Sequence, residues 1–280
     1  MMPWALAIVC AYPVLVVVLL ALEDSLVYMA TPASSSWAEP RDLVKEDVEL
    51  HSADGTRLHA WWCPVKGSRG ALLFCHGQQG NLSHRAWLVP RLQRLGASVL
   101  IFDYPGFGHS EGTPSEAGCY DAADAAYDWL VDERKIPPRE ILLVGKSLGG
   151  GIATDVAARR PHRGLVLCMT FTSLPDVAQR LLPVVPAHWL MRNRFDNLGK
   201  IGRCKGPVFI AHGTRDFKIP PSQAERLFAA APGPKRFFAM EGLAHEAPCF
   251  TDECLGAIRS FLHEIEANTA RNGSAQAAER

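Results

Sequence analysis

Ser147, Asp216 and His245 follow one another in the order serine, acid, histidine, and each stands just past a short apolar run. These residue types suit one chemistry together. A histidine takes the proton of a serine hydroxyl, an acid holds the imidazole in the required tautomer, and the serine attacks a carbonyl. The surroundings of Ser147 carry the most information. Ile141-Leu142-Leu143-Val144 runs into Gly145-Lys146-Ser147-Leu148-Gly149, and Ile152 to Arg159 follows with helical composition. Strand, sharp turn and helix with a serine at the apex make a nucleophile elbow. Its glycines have a steric reason. The turn leaves little room for a Cβ beside the serine, and Gly149 and Gly150 let the helix pack close to the sheet.

The other two residues occupy equivalent places. Pro207 to His212 reads as a strand running into Gly213-Thr214-Arg215-Asp216, and Arg236 to Met240 reads as the last strand before Glu241-Gly242-Leu243-Ala244-His245. Both residues would then stand at the carboxyl ends of strands, where open parallel sheets carry their sites. Asp176, after the sixth strand, is the alternative acid. An early strand, Ala71 to Cys75, leads into His76-Gly77-Gln78-Gln79-Gly80-Asn81. A loop at that place supplies one backbone donor of an oxyanion hole, and the residue after the serine supplies the other, which assigns the N–H groups of Gln78 and Leu148. His76 and His212 read as loop hydrogen-bonding residues, Asp103 as a structural acceptor holding the 105–112 loop, and Lys146 as facing away from the site.

These motifs resemble the α/β-hydrolases and, within them, the Bem46-type serine hydrolases. The resemblance rests on His76 to Asn81, Phe102 to Gly112, Pro114-Ser115-Glu116, Gly145 to Gly151, Thr170 to Leu174, His212 to Asp216 and His245, and it extends over roughly 44–265. It implies an α/β fold with a mostly parallel eight-stranded sheet flanked by helices and a short lid after the sixth strand. It also implies hydrolysis of carboxylic ester or thioester bonds through an acyl-enzyme, without metal or cofactor. The chain departs from the family at Gln78 and Gln79, where Asn and Ala are usual, and at Pro105, where Arg is usual. The first departure keeps the backbone donor and changes what the side chain touches; the second stiffens a turn. A small-substrate serine peptidase or amidase, and a non-catalytic membrane-tethered scaffold, are the alternative readings of the same motifs.

The segments that must position these residues can be read in turn. Val44 to Leu50 and Leu58 to Val65 are opening strands, Leu82 to Leu95 a helix, Ala97 to Tyr104 a strand, Ser115 to Glu133 a helix, and Leu165 to Met169 the sixth strand. Pro220 to Ala231 and Thr251 to Glu266 are later helices. The hydrolase domain is expected over 44–267, a linker over 23–43 and a disordered tail over 268–280. The lid, about 174–206, is apolar, and Leu181, Val185 and Trp189 are its candidate substrate contacts. Arg192 and Arg194 read either as a solvated pair or as contacts for an anionic head group.

Residues 3–22 form an uncharged apolar run, and 20 residues of helix span about 30 Å, the thickness of a hydrocarbon core. The absence of preceding Lys or Arg and of a small-residue cleavage site favours an uncleaved membrane anchor over a signal peptide. Lys and Arg are too sparse near the run to indicate orientation. The 280 residues carry 29 basic and 29 acidic side chains and no basic stripe, which argues against a nucleic-acid partner. Eight cysteines include no C-x-x-C pair, so a zinc site has little support, and Cys249 with Cys254 is the one pairing considered for a disulfide. No oligomeric state is implied.

Overall fold

The structure, a computed structural model, describes the backbone of residues 3–278 except Arg69, and side chains within 11–271 except those of 69, 269 and 270. Eight strands form one sheet: β1 (Glu46–His51), β2 (Arg57–Cys63), β3 (Ala71–Cys75), β4 (Ser98–Phe102), β5 (Ile141–Lys146), β6 (Gly164–Cys168), β7 (Val208–Gly213) and β8 (Lys235–Met240). Their order is β1-β2-β4-β3-β5-β6-β7-β8. β2 is antiparallel to both β1 and β4, and every later pairing is parallel. The sheet is thus mostly parallel, as expected. Its central strands are apolar at successive positions because both faces are covered. Leu73 and Cys75 join one core and Leu72 and Phe74 the other.

Among the described residues the helices are α1 (Pro3–Ala21), α2 (Glu23–Tyr28), α3 (Val89–Gln93), α4 (Glu116–Asp132), α5 (Leu148–Arg159), α6 (Leu174–Leu181), α7 (Ala187–Leu190), α8 (Asn197–Ile201), α9 (Pro221–Ala230) and α10 (Asp252–Ala278). One core holds Tyr127 of α4, Ile152 of α5 and Leu227 of α9; the opposite core holds Leu92 of α3 and Ile258 and Phe261 of α10. Three expectations need correction. The helix expected over Leu82 to Leu95 is a 3₁₀ turn, Leu82–Leu88, followed by α3. Pro90 lacks an N–H and crowds the preceding turn, so it fits only the first turn of a new helix. The tail expected from 268 continues α10 as far as Ala278, because Ala and Gln extend a helix that is already nucleated; Glu279 and Arg280 lie outside the described residues.

The third correction concerns 23–43, which is a docked strap and not a free linker. Val27 and Tyr28 are buried in the core. Ala30 and Pro32 make isolated bridges to Gly80 and Gly108. The Asn81 side-chain amide donates to the carbonyls of Thr31 and Ser36 at 2.9 and 2.8 Å. Burying two large side chains favours this route over a solvated tether. No helix among the described residues is long and apolar enough to cross a membrane. The side chains of residues 3–10, nearly half of the run expected to do so, lie outside those described.

The elbow between β5 and α5 leaves no room for a side chain at either flanking glycine. A Cβ on Gly149 would lie 2.0 Å from the Cys75 carbonyl oxygen, and one on Gly145 would lie 2.3 Å from that of Gly149. Both obstacles are backbone and cannot swing aside. Gly149→Ala is therefore expected to destabilise the fold by at least the roughly 1–3 kcal/mol typical of overpacking. Urea denaturation checks this, and a midpoint equal to the parent's would contradict the packing described.

Candidate active site

Ser147 sits at the apex of the elbow with φ 53° and ψ −120°, a region that a residue with a Cβ occupies only under strain. Three hydrogen bonds hold it there. Its N–H donates to the Cys168 carbonyl at 3.0 Å, and its own carbonyl accepts from the Gly150 N–H at 2.9 Å and the Thr170 hydroxyl at 2.9 Å. The apex is thereby tied to β6 as well as to the start of α5.

The acid and the histidine lie on the loops after β7 and β8, and those loops are tied to one another. Arg215 N–H donates to the Leu243 carbonyl and Thr214 N–H to that of Met240, each at 3.0 Å. His245 Nε2 lies 3.1 Å from Ser147 Oγ, and His245 Nδ1 lies 2.7 Å from Asp216 Oδ2. With Nδ1–H donating to the carboxylate, Nε2 is left to accept the serine proton. All three side chains are buried. The other Asp216 oxygen accepts from the Ile219 N–H at 2.8 Å. Burial by itself would raise the Asp216 carboxyl. Hydrogen bonds from His212, His245 and the Ile219 N–H, with the charge of His245, outweigh it and hold the carboxyl well below its ordinary value.

Gln78 lines the same pocket as Ser147. Leu148 is the first residue of α5, where backbone N–H groups have no intrahelical partner. Gln78 thus borders the serine pocket, and Leu148 follows the serine at the helix start. His76 and His212 bond within their loops, to the carbonyls of Gly77 at 2.7 Å and Ile219 at 2.8 Å. Asp103 accepts from the Leu82 N–H at 2.8 Å, and its carbonyl accepts from the Ser110 hydroxyl at 3.1 Å. Asp176 contacts Thr172, His188 and Arg226 and does not reach His245.

Some expected positions differ. Lys146 does not face away: it lines the pocket of about 170 Å³ over Ser147 and His245, together with Arg85 and Lys218. As the last residue of a strand, its side chain alternates toward that face. Arg85 and Lys218 carried no local sequence signal, since folding alone brings them to the serine. Of the candidate substrate contacts, Leu181 and Val185 line a second, apolar cavity of about 410 Å³, whereas Trp189 is 89% exposed and lines neither cavity. Ala187 and Leu190 of α7 turn toward that cavity, which leaves Trp189 on the outer side. Arg192 and Arg194 are both exposed, as a solvated pair would be, but neither is unpartnered: Arg192 pairs with Glu23 and Asp24, and Arg194 donates to the His188 carbonyl. Cys249 and Cys254 are buried and free, so the disulfide considered for them is absent.

A family profile described as alpha/beta hydrolase fold matches residues 70–190. An uncharacterized protein of Mycobacterium tuberculosis is 39% identical over 222 residues, covering 78% of this chain and 79% of that protein. The alpha/beta hydrolase domain-containing protein WAV2 of Arabidopsis thaliana is 32% identical over 239 residues, covering 77% and 78%. The chain belongs to the α/β-hydrolase family. Protein bem46 of Schizosaccharomyces pombe is a further relative, 29% identical over 239 residues, covering 80% of this chain and 78% of that protein. Among solved structures, an esterase of Pyrococcus furiosus superposes with a TM-score of 0.68 at 20% identity, covering 80% of this chain and 91% of that one. That likeness is one of fold.

Folding lowers the Asp216 carboxyl, so its contribution to stability is present above the unfolded value of about 4 and is lost as pH falls below it. Asp216→Asn is expected to flatten the pH dependence of unfolding free energy below about pH 4, beyond any change in its level. Urea titrations of parent and variant from about pH 6 down to about pH 2 check this. Parallel acid limbs would contradict the assignment of that charge.

Proposed function

We propose that this α/β-hydrolase is a membrane-associated serine hydrolase that cleaves carboxylic esters or thioesters of acyl, lipid-like substrates. The observation that carries the reading is the hydrogen-bonded row from Ser147 through His245 to Asp216, built around a strained serine. In the first step Ser147 Oγ attacks the substrate carbonyl as its proton passes to His245 Nε2. Asp216 keeps the imidazole in orientation and stabilises its cation. The carbonyl oxygen gathers negative charge and takes hydrogen bonds from the N–H groups of Gln78 and Leu148. Losing one such donor typically costs about 10²–10³ in rate. The carbon–oxygen or carbon–sulfur bond then breaks, and the leaving alcohol or thiol receives the proton from Nε2. Water, deprotonated by the same nitrogen, releases the acid and restores the serine.

The apolar cavity beside the lid supports an acyl substrate, since its lining is almost wholly aliphatic. The membrane half of the proposal draws on residues 3–22 and on exposed apolar surface. Val14, Leu15, Val17 and Val18 of α1 are 45–64% exposed, and Leu181, Val184 and Trp189 of the lid are exposed too. The Tyr12 hydroxyl donates to the Val184 carbonyl at 2.7 Å, which makes the two patches neighbours. Continuous apolar surface of this kind suits a lipid environment.

Ser147→Ala in the full chain is expected to lower ester turnover by a factor on the order of 10⁶, the loss seen when subtilisin forfeits its serine. Assay with p-nitrophenyl esters, beside fluorophosphonate labelling of parent and variant, checks this. Turnover in a folded Ser147→Ala protein close to the parent's would sink the proposal.

A further inference from the structure

The serine hydrolase reading leaves open what builds the substrate site. The apolar cavity of about 410 Å³ has two walls from distant parts of the chain. One wall is the lid, with Val177, Leu181, Val185 and Met191. The other is N-terminal: Val16, Leu19 and Leu20 of α1 and Val27 of α2. Positions 16, 19 and 20 share one face of α1, and positions 23 and 27 share one face of α2, each at the spacing of a buried stripe. Val14, Val17 and Val18 turn the other way and are exposed. The run that reads as a membrane anchor is therefore amphipathic in its surroundings although uniformly apolar in composition.

Two features connect this cavity with the serine. Gln78 and Lys218 line both the apolar cavity and the smaller pocket that holds Ser147 and His245, so the two spaces meet at the proposed oxyanion loop. The Gln78 side-chain amide also donates to Met29 Sδ at 3.1 Å, just after α2. Glu23 then fastens the N-terminal wall to the lid. Its carboxylate is 4% exposed and accepts from the backbone N–H groups of Arg192 and Asn193 at 3.0 and 2.8 Å, and from the Asn193 amide at 2.9 Å. The Tyr28 hydroxyl donates to the same asparagine. A buried carboxylate that satisfies two backbone donors of the lid loop is a structural clamp, and removing its partners would leave a costly buried charge.

We infer that the N-terminal helices form one wall of the acyl-chain site, so that Val16, Leu19 and Leu20 select chain length together with the lid. The occupant is the acyl chain of the ester or thioester whose carbonyl lies at Ser147. This inference rests on the serine hydrolase reading. Each methylene that enters the cavity gains about 0.8 kcal/mol, or about fourfold in kcat/KM, until the space is full. A side chain that fills the cavity from the N-terminal wall should forfeit that gain for long chains and leave short ones alone.

The test uses the full chain in detergent with p-nitrophenyl esters from acetyl to hexadecanoyl. Leu20→Trp is expected to shift the preferred chain downward, losing about fourfold for each methylene excluded, measured relative to that variant's own acetyl turnover. Val17→Trp, on the exposed face, is expected to leave the profile unchanged. If Leu20→Trp loses all activity and labelling, Leu20→Ala decides: a preference moved toward longer chains supports the inference. A parental profile in a folded Leu20→Trp protein, or in Leu20→Ala, overturns it while leaving the hydrolase reading intact. Absence of Ser147-dependent labelling in the parent removes both.

Discussion

The backbone of Ser147 is the constraint on which the rest of the site depends. A residue with a Cβ at φ 53° costs on the order of 1–3 kcal/mol, and such strain persists only where the surroundings over-determine it. Here they do. The preceding strand lies between two parallel neighbours, the following helix packs down through glycines, and β6 accepts the serine N–H. The result is a hydroxyl raised above the carboxyl edge of the sheet, at the start of a helix, facing the loops after β7 and β8. Everything proposed for the chemistry uses that placement.

Strand order explains why three residues far apart in the chain can meet. β5, β6, β7 and β8 are parallel and adjacent, so the loops after β5, β7 and β8 emerge at one edge. Hydrogen bonds between the last two loops extend the pairing of β7 with β8 and hold Asp216 near His245. The acid is satisfied from several directions, by His245, His212 and the Ile219 N–H, which keeps it ionised and fixed despite burial. In the proposed mechanism a carboxylate so held orients the imidazole while remaining out of the reaction itself.

Much of this was legible in the residues. Gly145-Lys146-Ser147-Leu148-Gly149 after four apolar residues has few structural solutions, and in this chain the aliphatic runs that lead into His76-Gly77 and His212-Gly213 are strands β3 and β7. Local pattern was silent where long-range packing decided the outcome. Pro90 divided an apparently helical segment, and Tyr28 converted an apparent linker into a strap by finding a core to enter. Lys146, Arg85 and Lys218 meet around one pocket only because the end of β5, the 3₁₀ turn and the loop after β7 converge there. The N-terminal run showed the same limit most clearly. Composition marks it as apolar, but only the position of the lid distinguishes the face with Val16 and Leu20 from the face with Val14 and Val18.

The central claim is that Ser147 becomes covalently acylated, and trapping that species tests it most directly. The full chain would be mixed with a p-nitrophenyl ester, quenched in acid within one turnover, digested, and examined by mass spectrometry. The account expects the acyl mass on the peptide that carries Ser147, at a stoichiometry matching the burst of nitrophenol, and no such adduct in Ser147→Ala. Turnover with no adduct, or an adduct on another residue that forms and decays at the rate of catalysis, would contradict it.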